Sequence, residues 1–493
     1  MATPIPANDC PFTLAEAADA TAGELFGPRE HTARGISIDT RSLSAGAIFV
    51  ALLGVADGHR YLAEAARRGA AAAVVNRGRR IAELPCIEVD DTLEALGALA
   101  RYHLRRIRRA HETPSIAVGG AAGKTTTKEI TAALARAIYG PTLATTGNLN
   151  NRIGVPMTLL TLSTEHRAMV IECGTNTRGE IPRLAAIVEP DVAMVLNVDL
   201  EHTEGLGTLA DVADEESALM GGARRAVVFP ADDPMLAPRA PRGLRAVTFG
   251  ASAAAHVRLE ERSTARGGKT RIRIRLAREM VAPDAEPAIE SEIAMLGEAA
   301  ALNCAAAVAA VGATAEPYLS AQNLAALETA LASVTPVTGR LSLRQTAGIV
   351  LIDDTYNANP RSVRAALAAA REIADGLGAR LIIALGDMFE LGELSARAHA
   401  ETLADVMRAR PSVLVAVGPE MARAVESTPR AQLDDGAKTM LAADSREASR
   451  IVRESVCTGD VLLVKGSRGM AMERIIESLE FGSEPLPHRE RSG

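Results

Sequence analysis

The run Gly119-Gly120-Ala121-Ala122-Gly123-Lys124-Thr125-Thr126-Thr127 has the residue types and spacing to hold the phosphates of a nucleotide. An apolar run at 116–118 precedes it. A segment with Ile130, Leu134 and Ile138 on one helical face follows and stops at Gly140. Strand, glycine-rich turn, Lys-Thr and helix together are what separates a phosphate loop from an ordinary turn. Gly120 and Gly123 let backbone N–H groups approach phosphate oxygens, and the positive end of the helix dipole points at the same anion. Lys124 then reaches the terminal phosphates, and the hydroxyl of Thr125, with Thr126 beside it, reaches Mg2+. The general spacing asks for Gly at position 118, where this chain has Val118, so the loop is a shorter variant. Farther on, 169–172 is an apolar run ending in Glu172. A carboxylate at a neighbouring strand end can reach the metal directly or through water. The run 192–197 leads into Asp199, Glu201, His202 and Glu204. A His among acids near a phosphate site is a candidate metal ligand, and the same His can equally be a solvated loop residue.

These residues need a scaffold, and 493 residues suit about three domains. Aromatics are 2% and Trp is absent, so an Ala-rich α/β fold is expected rather than an all-β one. Residues 1–113 hold strand–helix units that end in a basic helical stretch, 93–109. Thr113-Pro114 breaks that helix, because the residue before Pro is pushed out of the α region. Residues 114–334 alternate β-type runs (116–118, 169–172, 192–197, 226–229) with helical patterns, as a mostly parallel sheet with crossover helices does. Within them, TRIRIRL at 270–276 alternates as a half-exposed antiparallel strand would, after a turn at Gly267-Gly268. Residues 335–493 repeat the doubly wound pattern, with strands at 349–352, 381–385, 413–417 and 461–464. Their polar tail, from about 482, is expected to fray.

Net charge is -7 with both signs interspersed, which excludes broad nucleic-acid binding. The five Cys are scattered, with no CxxC pair, so buried or free thiols are expected rather than a disulfide framework or a zinc site. The N-terminus lacks a basic region followed by an apolar core, and no apolar run nears the roughly 20 residues that span a bilayer. A cytoplasmic protein without membrane insertion is expected.

Four longer motifs carry a resemblance. They are Thr146-Gly147-Asn148-Leu149-Asn150-Asn151-Arg152-Ile153-Gly154-Val155-Pro156, Asp353-Asp354-Thr355-Tyr356-Asn357-Ala358-Asn359-Pro360, Leu385-Gly386-Asp387-Met388-Phe389-Glu390-Leu391-Gly392 and Val464-Lys465-Gly466-Ser467-Arg468-Gly469-Met470. With the phosphate loop, and in this order, they resemble the Mur ligase family over residues 35–479. That family joins an amino acid or dipeptide to a carboxylate through an acyl phosphate. The resemblance is strongest to the members that add D-alanyl-D-alanine to a UDP-N-acetylmuramoyl-tripeptide in peptidoglycan precursor synthesis. It implies an N-terminal α/β domain for the UDP-sugar-peptide, a central P-loop ATPase domain with a parallel sheet, and a C-terminal Rossmann-like domain that binds the dipeptide and completes the ATP site. It also implies ATP and Mg2+ as cofactors, and a monomer.

By the same resemblance Ser37, Asp39, Thr40, Arg41, Asp57 and His59 bind the UDP-sugar, and Asn148 and Asn151 face substrate. Gly120, Gly123, Lys124, Thr125 and Thr126 hold ATP. Asn303 lies in the adenine-contacting helix, and Arg340 and Asp354 complete the nucleotide site. Glu172 and His202 join Thr125 as metal ligands. Asn357, Asn359, Lys465 and Ser467 face the dipeptide, and Lys124, Glu172, His202, Asn357 and Lys465 form the catalytic set. Plainer readings stay open: a turn for 37–41, and helix caps for Asn357 and Asn359 ahead of Pro360.

The chain also departs from the family pattern. Gly119 stands where Thr is usual, Ala121 where Ser or Thr is, Ala299-Ala300 where His-Asn is, and Thr177 where His is. Glu216 occupies the position of a Lys whose carbamylated form helps place a second Mg2+. It stands as a candidate metal ligand or as part of a solvated acidic face, Asp214-Glu215-Glu216. A paralogue that uses another amine or acceptor, and a non-catalytic relative that binds the UDP-peptide, are the competing readings.

Overall fold

Asp91 accepts hydrogen bonds from the N–H groups of Leu93 and Glu94 and so starts the helix Thr92–Ala110. Its apolar stripe, with Leu96, Leu99, Leu104 and Ile107 buried, has the spacing of one helical face. That face joins two domains, packing on Leu14–Thr21 and on the helices Gly154–Leu159 and Glu180–Val188. The approach is close enough that a Cβ on Gly97 would come within 2.7 Å of Ile187. The computed structural model describes residues 3–54, 56–201, 203–265, 268–315, 317–429, 433 and 436–480. His202, Gly267 and the tail from 481 lie outside the described residues.

Three large sheets organise the chain, beside a two-stranded antiparallel pair of Pro11–Thr13 and Thr32–Arg34. The N-terminal one runs Glu24–Phe26, Cys86–Val89, Ala72–Asn76, Ile48–Val50, Ile36–Ser37, and only the first pairing is antiparallel. The central sheet has nine strands in the order Ala288–Ile293, Thr270–Leu276, Val257–Thr264, Arg245–Gly250, Ala226–Pro230, Val192–Val195, Ser115–Gly119, Ala168–Glu172, Thr142–Ala144. From Val257–Thr264 to Thr142–Ala144 every pairing is parallel, and the last two strands on the other edge add antiparallel pairs. In Thr270–Leu276, Ile272, Ile274 and Leu276 are buried while Arg273 and Arg275 reach out to Glu260. The third sheet orders Ser342–Thr346, Ile349–Asp354, Val461–Lys465, Leu381–Gly386, Val413–Val417, Lys438–Ala442, with only the first pairing antiparallel. Helices cover both faces of these parallel sheets, which is why their strands read as continuous apolar runs.

One expected strand is shorter than its apolar run. Val192–Val195 ends before Leu196 and Asn197. Asn197 leaves the ladder because its carbonyl and side chain are taken by the loop described below. The helix Gly297–Thr314 is long and apolar enough to cross a membrane by length and composition alone. With 72% of it buried inside the fold, it is a core helix under the central sheet.

All five Cys are free; Cys10, Cys86, Cys173 and Cys304 are buried and Cys457 is partly exposed. Burial pushes the Cys10 thiol up to about 12 and the Cys304 thiol up to about 12. Since the thiolate is the nucleophile, the native protein is expected to take up maleimide rapidly at Cys457 alone, and at all five positions after unfolding. Mass spectrometry of the labelled protein checks this, and rapid native labelling at a second thiol would contradict the packing described.

Candidate functional site

The phosphate loop follows strand Ser115–Gly119 and feeds helix Lys124–Tyr139. Gly120 (φ +117°) and Gly123 (φ +87°) adopt left-handed backbone that suits glycine. A Cβ on Gly120 would also press within 2.9 Å of the Leu196 nitrogen. The loop amides divide into two groups. Gly120 N–H donates to Glu216 Oε2 (2.6 Å), Ala121 N–H to the Asn197 carbonyl (3.1 Å), and Ala122 N–H to Asn197 Oδ1 (2.8 Å). These three set the shape of the loop. The first helix bond in this turn is from Thr127 N–H to the Gly123 carbonyl (2.9 Å). The N–H groups of Lys124, Thr125 and Thr126 therefore lack intrahelical acceptors, as at any helix start.

Lys124 Nζ donates to the Gly120 carbonyl (2.6 Å) and lies 3.6 Å from Glu201. Burial alone would lower its pKa, but Glu201, Glu216 and Glu172 outweigh burial and raise it, so the ammonium stays charged. Glu172 is 1% exposed. Its Oε1 accepts from the Thr125 hydroxyl (3.1 Å) and from Asn150 Nδ2 (2.9 Å). Its Oε2 is buried with no hydrogen-bond partner among the described residues. A partnerless buried carboxylate oxygen beside a threonine hydroxyl suits a hard cation such as Mg2+, which takes one or two carboxylates plus phosphate and water oxygens. Among the described residues no group of three His, Cys, Asp or Glu forms a larger metal cage.

The C-terminal domain supplies the facing wall. The Arg340 guanidinium stacks on Tyr356, 4.1 Å from the ring centroid, and its Nε is buried without a partner among the described residues. That leaves a donor for an anion. Lys465 is 1% exposed and donates to Asp354 Oδ2 (2.6 Å) and to the Asn357 carbonyl (2.8 Å). Asp354 Oδ1 accepts from Leu341 N–H (3.1 Å). Asn359 Oδ1 caps helix Pro360–Leu377 through Ser362 N–H (2.8 Å). Buried Ser467 accepts from Phe389 N–H (2.8 Å), tying two C-terminal loops together. The two domains touch through Asp199 with Arg364 (3.2 Å) and Arg262 with Glu372 (2.8 Å).

Between these walls lies a cavity of about 940 Å³. It brings together Gly123, Lys124, Thr125, Thr126, Asn148, Asn151, Glu172, Asn303, Arg340, Asp354, Asn357, Asn359 and Lys465. The Asn303 amide packs on Gly123, so that a Cβ there would sit 3.1 Å from its oxygen. Gly120, Glu216 and Ser467 stand behind the wall rather than in it. Ser37, Asp39, Thr40, Arg41, Asp57 and His59 lie apart, in the N-terminal domain. There Asp39 caps the turn Thr40–Ser42 and clamps the exposed Arg41 (2.6 Å). Asp57 pairs with Arg79 (2.7 Å) and with His59 Nδ1 (2.7 Å). Arg79 first, then His59, hold its carboxyl well below the usual range. His59 Nε2 accepts from Asn76 N–H (3.0 Å), so the ring proton sits on Nδ1.

Two features differ from the sequence reading. Asp214-Glu215-Glu216 is not a solvated face. Glu215 is buried and accepts from Gly179 and Ile181 N–H (2.7 Å each), Glu216 is buried against the loop, and only Asp214 faces outward, toward Arg239 (2.7 Å). Backbone donors from distant elements satisfy both buried carboxylates. Asn150 and Asn197 also hold Glu172 and the loop; nothing local marks Asn150 apart from Asn148 and Asn151, or Asn197 apart from any other residue at the end of an apolar run.

Comparison with known proteins agrees along almost the whole chain. Residues 32–104 match the Mur ligase family catalytic domain, 118–311 the Mur ligase middle domain, and 339–468 the Mur ligase glutamate ligase domain. The UDP-N-acetylmuramoyl-tripeptide–D-alanyl-D-alanine ligase of Escherichia coli is 34% identical, over 95% of this chain and 98% of that enzyme. The same-named enzyme of Bacillus subtilis is 30% identical, over 95% and 98%. A crystal structure of MurF from Acinetobacter baumannii superposes with a TM-score of 0.82 at 28% identity, covering 97% of this chain and 100% of that one. MurF ligase from Thermotoga maritima, in complex with ADP, gives 0.74 at 25% identity, covering 90% and 96%. With three domains in family order and relatives of this identity along nearly its full length, the chain belongs to the Mur ligase family and is an ATP-dependent peptide ligase.

Proposed function

We propose that this ligase adds D-alanyl-D-alanine to UDP-N-acetylmuramoyl-tripeptide, with ATP as the energy source and Mg2+ as its metal, in the synthesis of peptidoglycan precursors. The observation that carries the reading is the shared cavity. It joins the phosphate loop to Arg340, Asp354 and Asn357 of the C-terminal domain, and the relatives that match both domains bear this activity in their names.

The chemistry follows from charge. The tripeptide carboxylate must approach the γ-phosphate of ATP, and both are anions. Lys124, the N–H groups of residues 124–126 and the open Nε of Arg340 offset that repulsion at the transferring phosphoryl group. Glu172 Oε2 and the Thr125 hydroxyl would hold Mg2+, which neutralises phosphate charge when bound. The dipeptide amine then attacks the acyl phosphate, and inorganic phosphate leaves. Asp354 and Lys465 keep the Asn357 loop in place on the dipeptide side. With ATP gripped by both domains, their docking keeps water from the acyl phosphate. The N-terminal residues Ser37, Asp39, Thr40, Arg41, Asp57 and His59 serve the UDP-sugar.

The test is ATP-dependent phosphate release with UDP-N-acetylmuramoyl-tripeptide, with and without D-alanyl-D-alanine, with product mass determined. A pentapeptide product formed only with the dipeptide is expected. Silence from the folded protein with this pair would move the reading to another amine or acceptor. The same assay carries a second expectation. Position 216 has no amine to carbamylate, so added bicarbonate leaves the rate unchanged, and a bicarbonate requirement would point to another Lys.

A further inference from the structure

We infer that Glu216 is a positioning residue of the phosphate loop, and that its charge makes nucleotide binding there depend on a divalent cation. The inference rests on the reading of the loop as the nucleotide site. Glu216 is 3% exposed, and its Oε2 lies 2.6 Å from the Gly120 nitrogen. A carboxylate oxygen thus sits on a loop amide of the kind that anions occupy in such nests. The backbone makes room for it. A Cβ on Gly119 would come within 3.2 Å of that same oxygen and 2.9 Å of Leu219 Cδ2. Gly119 is not among the glycines with positive φ, so its glycine answers to space rather than to conformation. Gly119 and Glu216, two of the departures from the family pattern, are therefore one packing unit.

Two consequences follow. The Gly120 amide is already engaged, as are those of Ala121 and Ala122. Phosphate oxygens are left with the amides at the helix start. The site also carries more anion than cation. Glu201 lies 3.6 Å from the Lys124 ammonium, Glu172 holds the Thr125 hydroxyl and Glu216 the Gly120 amide, and among the described residues the cavity lining carries seven carboxylates against four Lys and Arg. Free nucleotide adds negative charge beside Glu172 and Glu201 in the partly desolvated pocket and Glu216 just behind its wall, where charges interact more strongly than in water. A divalent cation entering with the phosphates removes that repulsion.

The test compares Glu216→Gln with Glu216→Ala by calorimetric titration with ADP, in EDTA and in excess Mg2+, alongside thermal unfolding. The Gln variant keeps an oxygen for Gly120 N–H but loses the charge. It is expected to bind Mg-free ADP roughly tenfold tighter than the parent, with Mg-ADP affinity within about threefold. The Glu216→Ala variant loses the anchor as well as the charge, and is expected to bind Mg-ADP about tenfold or more weakly than the parent and Mg-free ADP more weakly than the Gln variant does. Gly119→Ala displaces the same carboxylate, so it is expected to weaken Mg-ADP binding in the parent, and less so when combined with Glu216→Ala. A Gln variant that folds but shows unchanged Mg-free affinity overturns the charge role. Unchanged binding in Glu216→Ala and Gly119→Ala overturns the positioning role. Failure of the folded parent to bind Mg-ADP at all would instead strike the nucleotide-site reading itself.

Discussion

Replacing Lys124 by Ala is expected to lower ATP-dependent ligation by about a thousandfold or more, the scale on which removal of a single charge-stabilising donor acts. Its ammonium is the cation nearest the start of the loop, at 2.6 Å from the Gly120 carbonyl, and the carboxylates around it hold it protonated. No other Lys lines the cavity on the central-domain side among the described residues. The fold should survive, because the side chain contacts loop carbonyls rather than a packed core. Phosphate release and product mass measure the first part, and a single cooperative thermal transition measures the second. Ligation near the parent rate in this variant would refute the assigned loop.

Lys465→Met is expected to cost about 3–5 kcal/mol of stability, because it strands the Asp354 carboxylate in a buried site. Lys465 and Asp354 are 2.6 Å apart, and the same ammonium holds the Asn357 carbonyl at 2.8 Å. The loop that carries Asn357 therefore loses its tether along with the ion pair. Thermal unfolding should show the loss. The double variant Lys465→Met, Asp354→Leu should recover much of it, since a buried pair replaced by apolar side chains is often neutral. Ligation should not recover, because neither the tether nor the Asp354 contact to Leu341 N–H returns. A double variant that regains both stability and activity would reduce the pair to packing alone. A Lys465→Met protein as stable as the parent would contradict its burial.

Much of this protein could be read locally. The run proposed to hold the phosphates is contiguous, so Gly120, Gly123, Lys124 and Thr125 stand out as candidates by adjacency. The helix Thr92–Ala110, with Asp91 capping it, is written in residues that touch within a few positions of each other. The strands Val413–Val417 and Val461–Lys465 announce themselves as apolar runs because both faces of their sheet are covered. The long motifs then identified the family. Periodicity tells which residues are buried, but it carries no information about which strand lies beside which. Only the sheet order places Ala168–Glu172 next to Ser115–Gly119, and only the register puts Glu172 opposite Val118, at the mouth of the loop. In sequence Glu216 could be a metal ligand or part of a solvated acidic face, because its neighbours are acids. It is buried, and a backbone donor 96 positions earlier, the Gly120 N–H, meets its carboxylate. Asp354 and Lys465 meet across 111 positions. Such pairings belong to the tertiary structure alone. A buried carboxylate or ammonium is stable only where a partner awaits it, and here the partners come from strand ends that nothing but the packing of the sheets brings together.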